Sequence, residues 1–212
     1  MKKKHFYTAI CLLTGFILWT MAISLIDVQP IGPCGSSVGF AAVNSFIQRL
    51  TGVHMTLYTV TDWLGLVPVG FIAGFGILGL CQWIKRKHIL KVDFSILILG
   101  CFYIVTMAAY LLFEEFVVNY RPVLIAGYLE ASYPSSTTLL VLCVMPTAVM
   151  QLNRRIKSRV LSRCIAAAII IFIVFMVVGR LVSGVHWITD IIGGALLSAG
   201  LVTLYGSVME LK

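Results

Sequence analysis

Few of the ionisable side chains in this 212-residue chain stand where they could act together, and the densest arrangement is Arg180-Leu-Val-Ser-Gly-Val-His186-Trp-Ile-Thr-Asp190. Residues four apart share a helix face, so the spacing sets Asp190 beside His186, where a carboxylate can hold one imidazole nitrogen and leave the other pointing outward. An imidazole held in this way is a nucleophile or a base. Asp190 runs straight into Ile-Ile-Gly-Gly-Ala-Leu-Leu, where an unpaired carboxylate is costly, and His186 is its nearest candidate partner. Arg121-Pro122 and the run Glu130-Ala-Ser-Tyr-Pro134-Ser135-Ser136-Thr137-Thr138 lie upstream. Pro134-Ser135-Ser136 is a helix start, whose free N–H groups and positive dipole end attract an anion. Two guanidinium forks, an imidazole and a helix N-terminus suit a tetrahedral oxyanion such as a phosphoryl group. The alternative on spacing alone is a structural polar cluster.

The elements that must position these residues are apolar. Apolar residues make up 60% of the chain and charged residues 11%, with a mean hydropathy of +1.01. That balance excludes disorder, a disulfide scaffold and a nucleic-acid-binding domain, because none could leave so much hydrocarbon in water. Six apolar runs, about 6–26, 64–84, 94–113, 136–152, 165–179 and 187–208, are near the length a membrane helix needs. They predict a single all-α domain over 1–212, a six-span transmembrane bundle. The first run could instead be a signal peptide, since three lysines precede it and Ala22-Ile23-Ser24 resembles a cleavage site, but its apolar core is too long for one.

The net charge of +8 is unevenly placed. Thirteen basic residues lie at the termini and in the second and fourth connections, against Arg49, Arg121 and Arg180 in the others. The positive-inside rule then predicts a multi-pass cell-membrane protein with both termini cytoplasmic and Arg121, Arg180 and His186 on the outer side. Contact with anionic lipid headgroups accounts for the basic loops without a nucleic-acid partner. In the long first outer connection, Val38, Phe40, Ala41, Val43, Phe46, Ile47 and Leu50 recur at helical spacing and predict an amphipathic interfacial helix. Gly70-x-x-x-Gly74 predicts close packing of the second span. The six cysteines show no paired spacing; five act as small hydrophobes, and Cys34 stands alone in a polar connection.

Arg121-Pro122, Pro134-Ser135 and Arg180-(five residues)-His186-(three residues)-Asp190, in this order at the outer helix ends, resemble the type 2 phosphatidic acid phosphatase superfamily, which includes integral-membrane lipid phosphatases. The resemblance implies that His186 is the nucleophile forming a phosphohistidine and that Asp190 orients it. It also implies that Arg121 and Arg180 clamp the phosphoryl oxygens together with the helix start at Ser135, Ser136 and Thr137, with no metal or cofactor. The expected substrate is a lipid phosphate or polyprenyl diphosphate in the membrane.

The chain departs from the family pattern in three places. Glu114 stands where the first motif has lysine, Gly179 where serine is usual before the arginine, and Ser136-Thr137 where the second motif ends in Gly-His. That histidine is the family's general acid, and threonine cannot protonate a leaving group at neutral pH. A diphosphate ester releases a phosphate that needs no proton, whereas a phosphatidate expels an alkoxide, so the loss favours diphosphates. The alternative is a pocket that binds lipid phosphate without turnover. His54, Glu114 or Glu115 could supply the missing acid, and either glutamate could instead pair with Arg121. A transporter would show broken helices matched between halves, which these spans lack.

Overall fold

The computed structural model describes residues 2–210. Eight α-helices follow one another: α1 (Lys2–Leu25), α2 (Ala41–Thr51), α3 (Met55–Leu64), α4 (Leu66–Arg86), α5 (Phe94–Glu115), α6 (Ser136–Asn153), α7 (Arg159–Val182) and α8 (Ile188–Met209). Six helical stretches are long and apolar enough to cross a membrane, α3 and α4 forming one of them. Among the described residues there is no strand beyond isolated bridges.

α6 and α8 form the centre, with 56% and 50% of their most apolar stretches buried against 28% or less in the other spans. α1 runs along α8, α7 packs on α6, and α4 and α5 cover the other side of α6. Lipid is as apolar as leucine, so it is close packing rather than flight from water that holds such helices together. Tyr133, just before α6, stacks on Phe16 with centroids 6.2 Å apart and meets the edge of Phe113 at 5.8 Å. Each such ring pair adds about 0.5–1.5 kcal/mol beyond its buried area. α8 admits Tyr133 because residue 193 is glycine; a Cβ there would lie 2.3 Å from the tyrosine ring.

The expected Gly70–Gly74 contact does not form. A Cβ at either position would meet nothing within 4 Å, and the pair borders an open apolar groove instead. The fifth span also begins earlier than its apolar run, because Ser158 accepts from Leu161 N and starts α7 at Arg159. A helix forms over the amphipathic stretch as α2, entered through Phe40 in the left-handed region. The second span is preceded by a helical turn sequence the apolar count left out: α3 meets α4 at Gly65 and carries Tyr58, Thr61 and Asp62.

The connections at the α1 C-terminal end are tied to one another. His54 N donates to Ser183 O at 2.9 Å, joining the α2–α3 loop to the α7–α8 turn. Gly184 in that turn has φ +67°, and a Cβ on it would lie 1.9 Å from the Gly52 carbonyl oxygen. Gly184→Ala should therefore cost about 1–3 kcal/mol, read as a lower thermal midpoint in detergent. Gly70→Ala, facing open space, should leave that midpoint unchanged or raise it slightly.

Candidate active site

The polar side chains at this end are brought together by two connections. The α5–α6 segment folds into a small hairpin: Arg121 N donates to Glu130 O at 3.0 Å, and Ser132 N to Asn119 O at 2.9 Å. Its tip is Ala126-Gly127, with φ of 49° and 85°, the positive pair that the tight turn of a two-residue hairpin requires. Alternation along an extended chain puts residues two apart on one face, so Asn119 and Arg121 point the same way, as do Glu130 and Ser132. The second connection is the α7–α8 turn, which carries His186 just ahead of the first residue of α8.

His186, Asp190, Arg180 and Arg121 converge here with 3%, 0%, 1% and 8% of their surface exposed. Arg121 Nη1 lies 3.3 Å from His186 Nε2. On the other side of the ring the expected direct bond is absent: Nδ1 and Asp190 Oδ2 are 3.8 Å apart, because His186 lies before α8 rather than one turn up the same helix. Ser132 Oγ stands between them, 3.0 Å from Nδ1 and 2.5 Å from Oδ2. Asp190 takes its other hydrogen bonds from Trp187 N at 2.9 Å and Asn119 Nδ2 at 3.3 Å, so its partners are not the one the spacing suggests.

Arg180 spends its outer nitrogens on neighbours. Nη2 donates to Thr137 Oγ1 at 2.6 Å and to Asp62 Oδ1 at 3.3 Å, while Nη1 reaches Thr61 Oγ1 and Tyr58 O, each at 3.4 Å. The Tyr58 ring lies beneath both cations, with its centroid 4.8 Å from Arg180 Cζ and 5.9 Å from Arg121 Cζ. Glu130 Oε2 approaches Arg121 Nε to 3.1 Å as an ion pair, off the N–H direction, and Glu130, not Glu114 or Glu115, is the carboxylate paired with Arg121. The Nε groups of both arginines are buried without a hydrogen-bond partner. Two adjacent guanidinium groups, one with an unpartnered Nε and one whose Nε meets only a poorly aligned carboxylate, are what an oxyanion would satisfy.

Ser135 N is already committed, donating to Asp190 O at 3.1 Å, and its side chain caps α6 by accepting from Thr138 N. Of the expected helix-end donors, the N–H groups of Ser136 and Thr137 open α6 and have no acceptor within the helix. Glu114 borders a small cavity together with His186 and Ser132. The His54 ring is exposed and bonds back to Thr51 O at 2.9 Å, turned toward its own loop. Among the described residues no group of His, Cys, Asp or Glu is arranged to hold a metal ion. A cleft of about 280 Å³ begins at Asp62, Ser136 and Thr137 and runs along α5 and α6 past Tyr110 and Met107 to Val144. Eight residues of helix from Ser136 to Val144 are about 12 Å, so the cleft reaches well into the apolar layer.

Sequence reasoning assigned no role to Tyr58, Thr61, Asp62 and Asn119, nor to Glu130 and Ser132 within the run that leads into α6. For Asp62 a signal existed: it is the lone carboxylate between Asp27 and Asp93 and sits among apolar neighbours, so it needed a cation as much as Asp190 needed a donor.

A model of the PAP2 superfamily matches residues 98–211, and the chain belongs to that superfamily. With its six apolar spans it is a multi-pass membrane protein. It is similar in fold to the crystal structure of the first transmembrane PAP2 type phosphatidylglycerolphosphate phosphatase from Bacillus subtilis, with 17% identity, 97% of each chain covered and a TM-score of 0.68. No curated protein matches it.

Burial pushes His186 from 6.5 down to about 4, the charges of Arg121 and Arg180 adding to the effect and Asp190 opposing it. The folded chain thus takes up this proton later than the unfolded chain does. The resulting stability is complete above pH 6.5 and is lost as pH falls toward 4. The thermal midpoint of the wild type should fall more steeply between pH 7 and 4.5 than that of His186→Gln, measured by intrinsic fluorescence in detergent; parallel slopes would show that folding leaves the proton affinity of the ring unchanged.

Proposed function

We infer that the protein is a membrane phosphohydrolase that removes phosphate from a lipid phosphate or polyprenyl diphosphate through a phosphohistidine. The observation that carries this is the buried His186 ring, its Nε2 facing Arg121, beside two buried guanidinium groups, of which the Arg180 Nε has no hydrogen-bond partner and the Arg121 Nε has only its ion pair with Glu130. The apolar cleft leading away from Thr137 suits a prenyl or acyl chain whose phosphate lies at the arginines. In the first step the Nε2 lone pair forms a bond to phosphorus as the bond to the leaving oxygen breaks, the leaving group keeping that electron pair. Water then attacks phosphorus, the N–P pair returns to Nε2, and the proton given up by the water goes to the released phosphate or to solvent. Arg121 and Arg180 offset the charge gathering on the phosphoryl oxygens, helped by the N–H groups of Ser136 and Thr137. Asp190 fixes the ring that attacks.

Thr137 accepts a hydrogen bond from Arg180 and cannot protonate a leaving group. A diphosphate ester, whose leaving phosphate is stable as an anion, is therefore the favoured substrate, and phosphatidate should lose much of the about 10²–10⁴-fold that general acid catalysis supplies. The same residue favours a second reading, a pocket that retains lipid phosphate without turnover; orthophosphate release distinguishes the two. His186→Ala should abolish phosphate release from farnesyl or undecaprenyl diphosphate in detergent, and an unchanged rate would end the assignment of this nucleophile. Thr137→His should raise phosphatidate turnover relative to diphosphate. If phosphatidate is already the better substrate, the leaving-group argument is wrong.

The distribution of basic residues supports placing the site outside and both termini in the cytoplasm. Cys34 is exposed in the α1–α2 connection at the site end. A membrane-impermeant maleimide should label Cys34 in intact cells and fail to label Cys34→Ala. Labelling of Cys34 only after lysis would invert the orientation.

A further inference from the structure

We propose that Ser132 is the positioning residue through which Asp190 controls His186, an Asp190–Ser132–His186 relay in place of a direct carboxylate–imidazole bond. Its consequence for turnover rests on the proposed phosphatase reading; its geometry stands without it. The 3.8 Å between Nδ1 and Oδ2 is too long for a hydrogen bond, and the Ser132 hydroxyl makes both halves of the link at 3.0 and 2.5 Å.

The direction of each bond follows from what the groups can give. A hydroxyl has one proton and two lone pairs. Asp190 already accepts from Trp187 N and Asn119 Nδ2, and toward Ser132 it offers an oxygen that accepts, so the hydroxyl proton goes to Oδ2. Only lone pairs then face the ring, and Nδ1 must carry the proton. Nε2 is left with its lone pair. The group on that side, Arg121 Nη1 at 3.3 Å, has only protons to donate, so it fits the same tautomer from the opposite edge. Ser132 cannot swing away: it is 2% exposed, its N–H is held by Asn119 O at 2.9 Å, and the next residue is locked between Phe16 and Phe113. An aliphatic side chain at 132 would leave Nδ1–H without an acceptor and the ring free to take the other tautomer, whose Nε2 cannot attack.

The test is nitrogen-15 NMR of the full-length protein in detergent, labelled at histidine, with the His186 signals assigned by their loss in His186→Gln. The wild type should show Nδ1 protonated and Nε2 bare at pH 7. Ser132→Ala should give a mixed tautomer and lower kcat by about 10–100-fold, the size found for outer groups that fix an imidazole, with KM unchanged; Ser132→Thr, which keeps the hydroxyl, should recover the tautomer and most of the rate. An Nε2–H ring in the wild type would overturn the relay, and so would Ser132→Ala with the wild-type tautomer. If Ser132→Ala does not fold, Ser132→Cys carries the same readouts with a weaker acceptor. A wild type that releases no phosphate but shows the expected tautomer and its loss in the variant would sink the enzyme reading and leave the relay standing.

Discussion

A carboxylate removed wholly from solvent at the head of an apolar helix has to find hydrogen-bond donors, and the way Asp190 finds them organises this end of the molecule. Its side chain takes one donor from its own turn, Trp187 N, and two from the α5–α6 hairpin, Asn119 and Ser132; its backbone oxygen takes Ser135 N from the start of α6. Three segments far apart in sequence are thereby held at one point. Leaving a buried group short of a hydrogen-bond partner costs about 1–3 kcal/mol, more when it is charged, so hairpin, α6 and α8 cannot separate cheaply. Arg121 and Ser132 reach the His186 ring because the hairpin that carries them is tied to Asp190.

A second constraint is that two guanidinium groups lie close together and nearly dry. Like charges at that range repel, and the surroundings offset this with a shared Tyr58 face and one carboxylate each, Asp62 on Arg180 and Glu130 on Arg121. Both carboxylates are far more exposed than the arginines they meet: their side chains show 58% and 39% of their surface, against 2% and 10%. The cations are therefore fixed by buried contacts, and their counter-charges stand on the solvent side. An entering phosphoryl group would compete with the carboxylates and not with the packing, and the Arg180 Nε, which has no hydrogen-bond partner, would be there for it.

The helical layout was legible because lipid imposes a length and a composition on every span, and six such runs stand out whatever their partners. The residues with reactive side chains were legible for a related reason: Arg180, His186 and Asp190 are conspicuous in an apolar context. Their partners were harder to see. Ser132, Asn119 and Thr61 are ordinary in type, and what makes them matter is a hairpin register and a helix approach that no local pattern encodes. The four-residue spacing of His186 and Asp190 named the right pair but not the 3.8 Å gap between them, since it assumed that the helix began before the histidine. It begins after Trp187. The Gly70–Gly74 spacing failed likewise, because a small-residue motif permits close packing without specifying a partner, and tight contacts instead fell to Gly193 and Gly184.

Thr137 joins these constraints to the chemistry. Arg180 has five N–H donors, and with a histidine at 137 its Nη2 would have lost its 2.6 Å contact with a hydroxyl. The threonine oxygen helps fix the guanidinium plane together with Asp62, Thr61 and Tyr58, so this position serves as an anchor and offers no acid. Under the proposed phosphatase reading, such a site works only where the departing group needs no proton. A rigid clamp that cannot protonate suits phosphate as the leaving group, because phosphate carries away its charge as a stable anion and the arginines need only hold the phosphoryl group in line. A site built for alkoxide departure would need the opposite: an acid near the bridging oxygen, at the expense of an anchored cation.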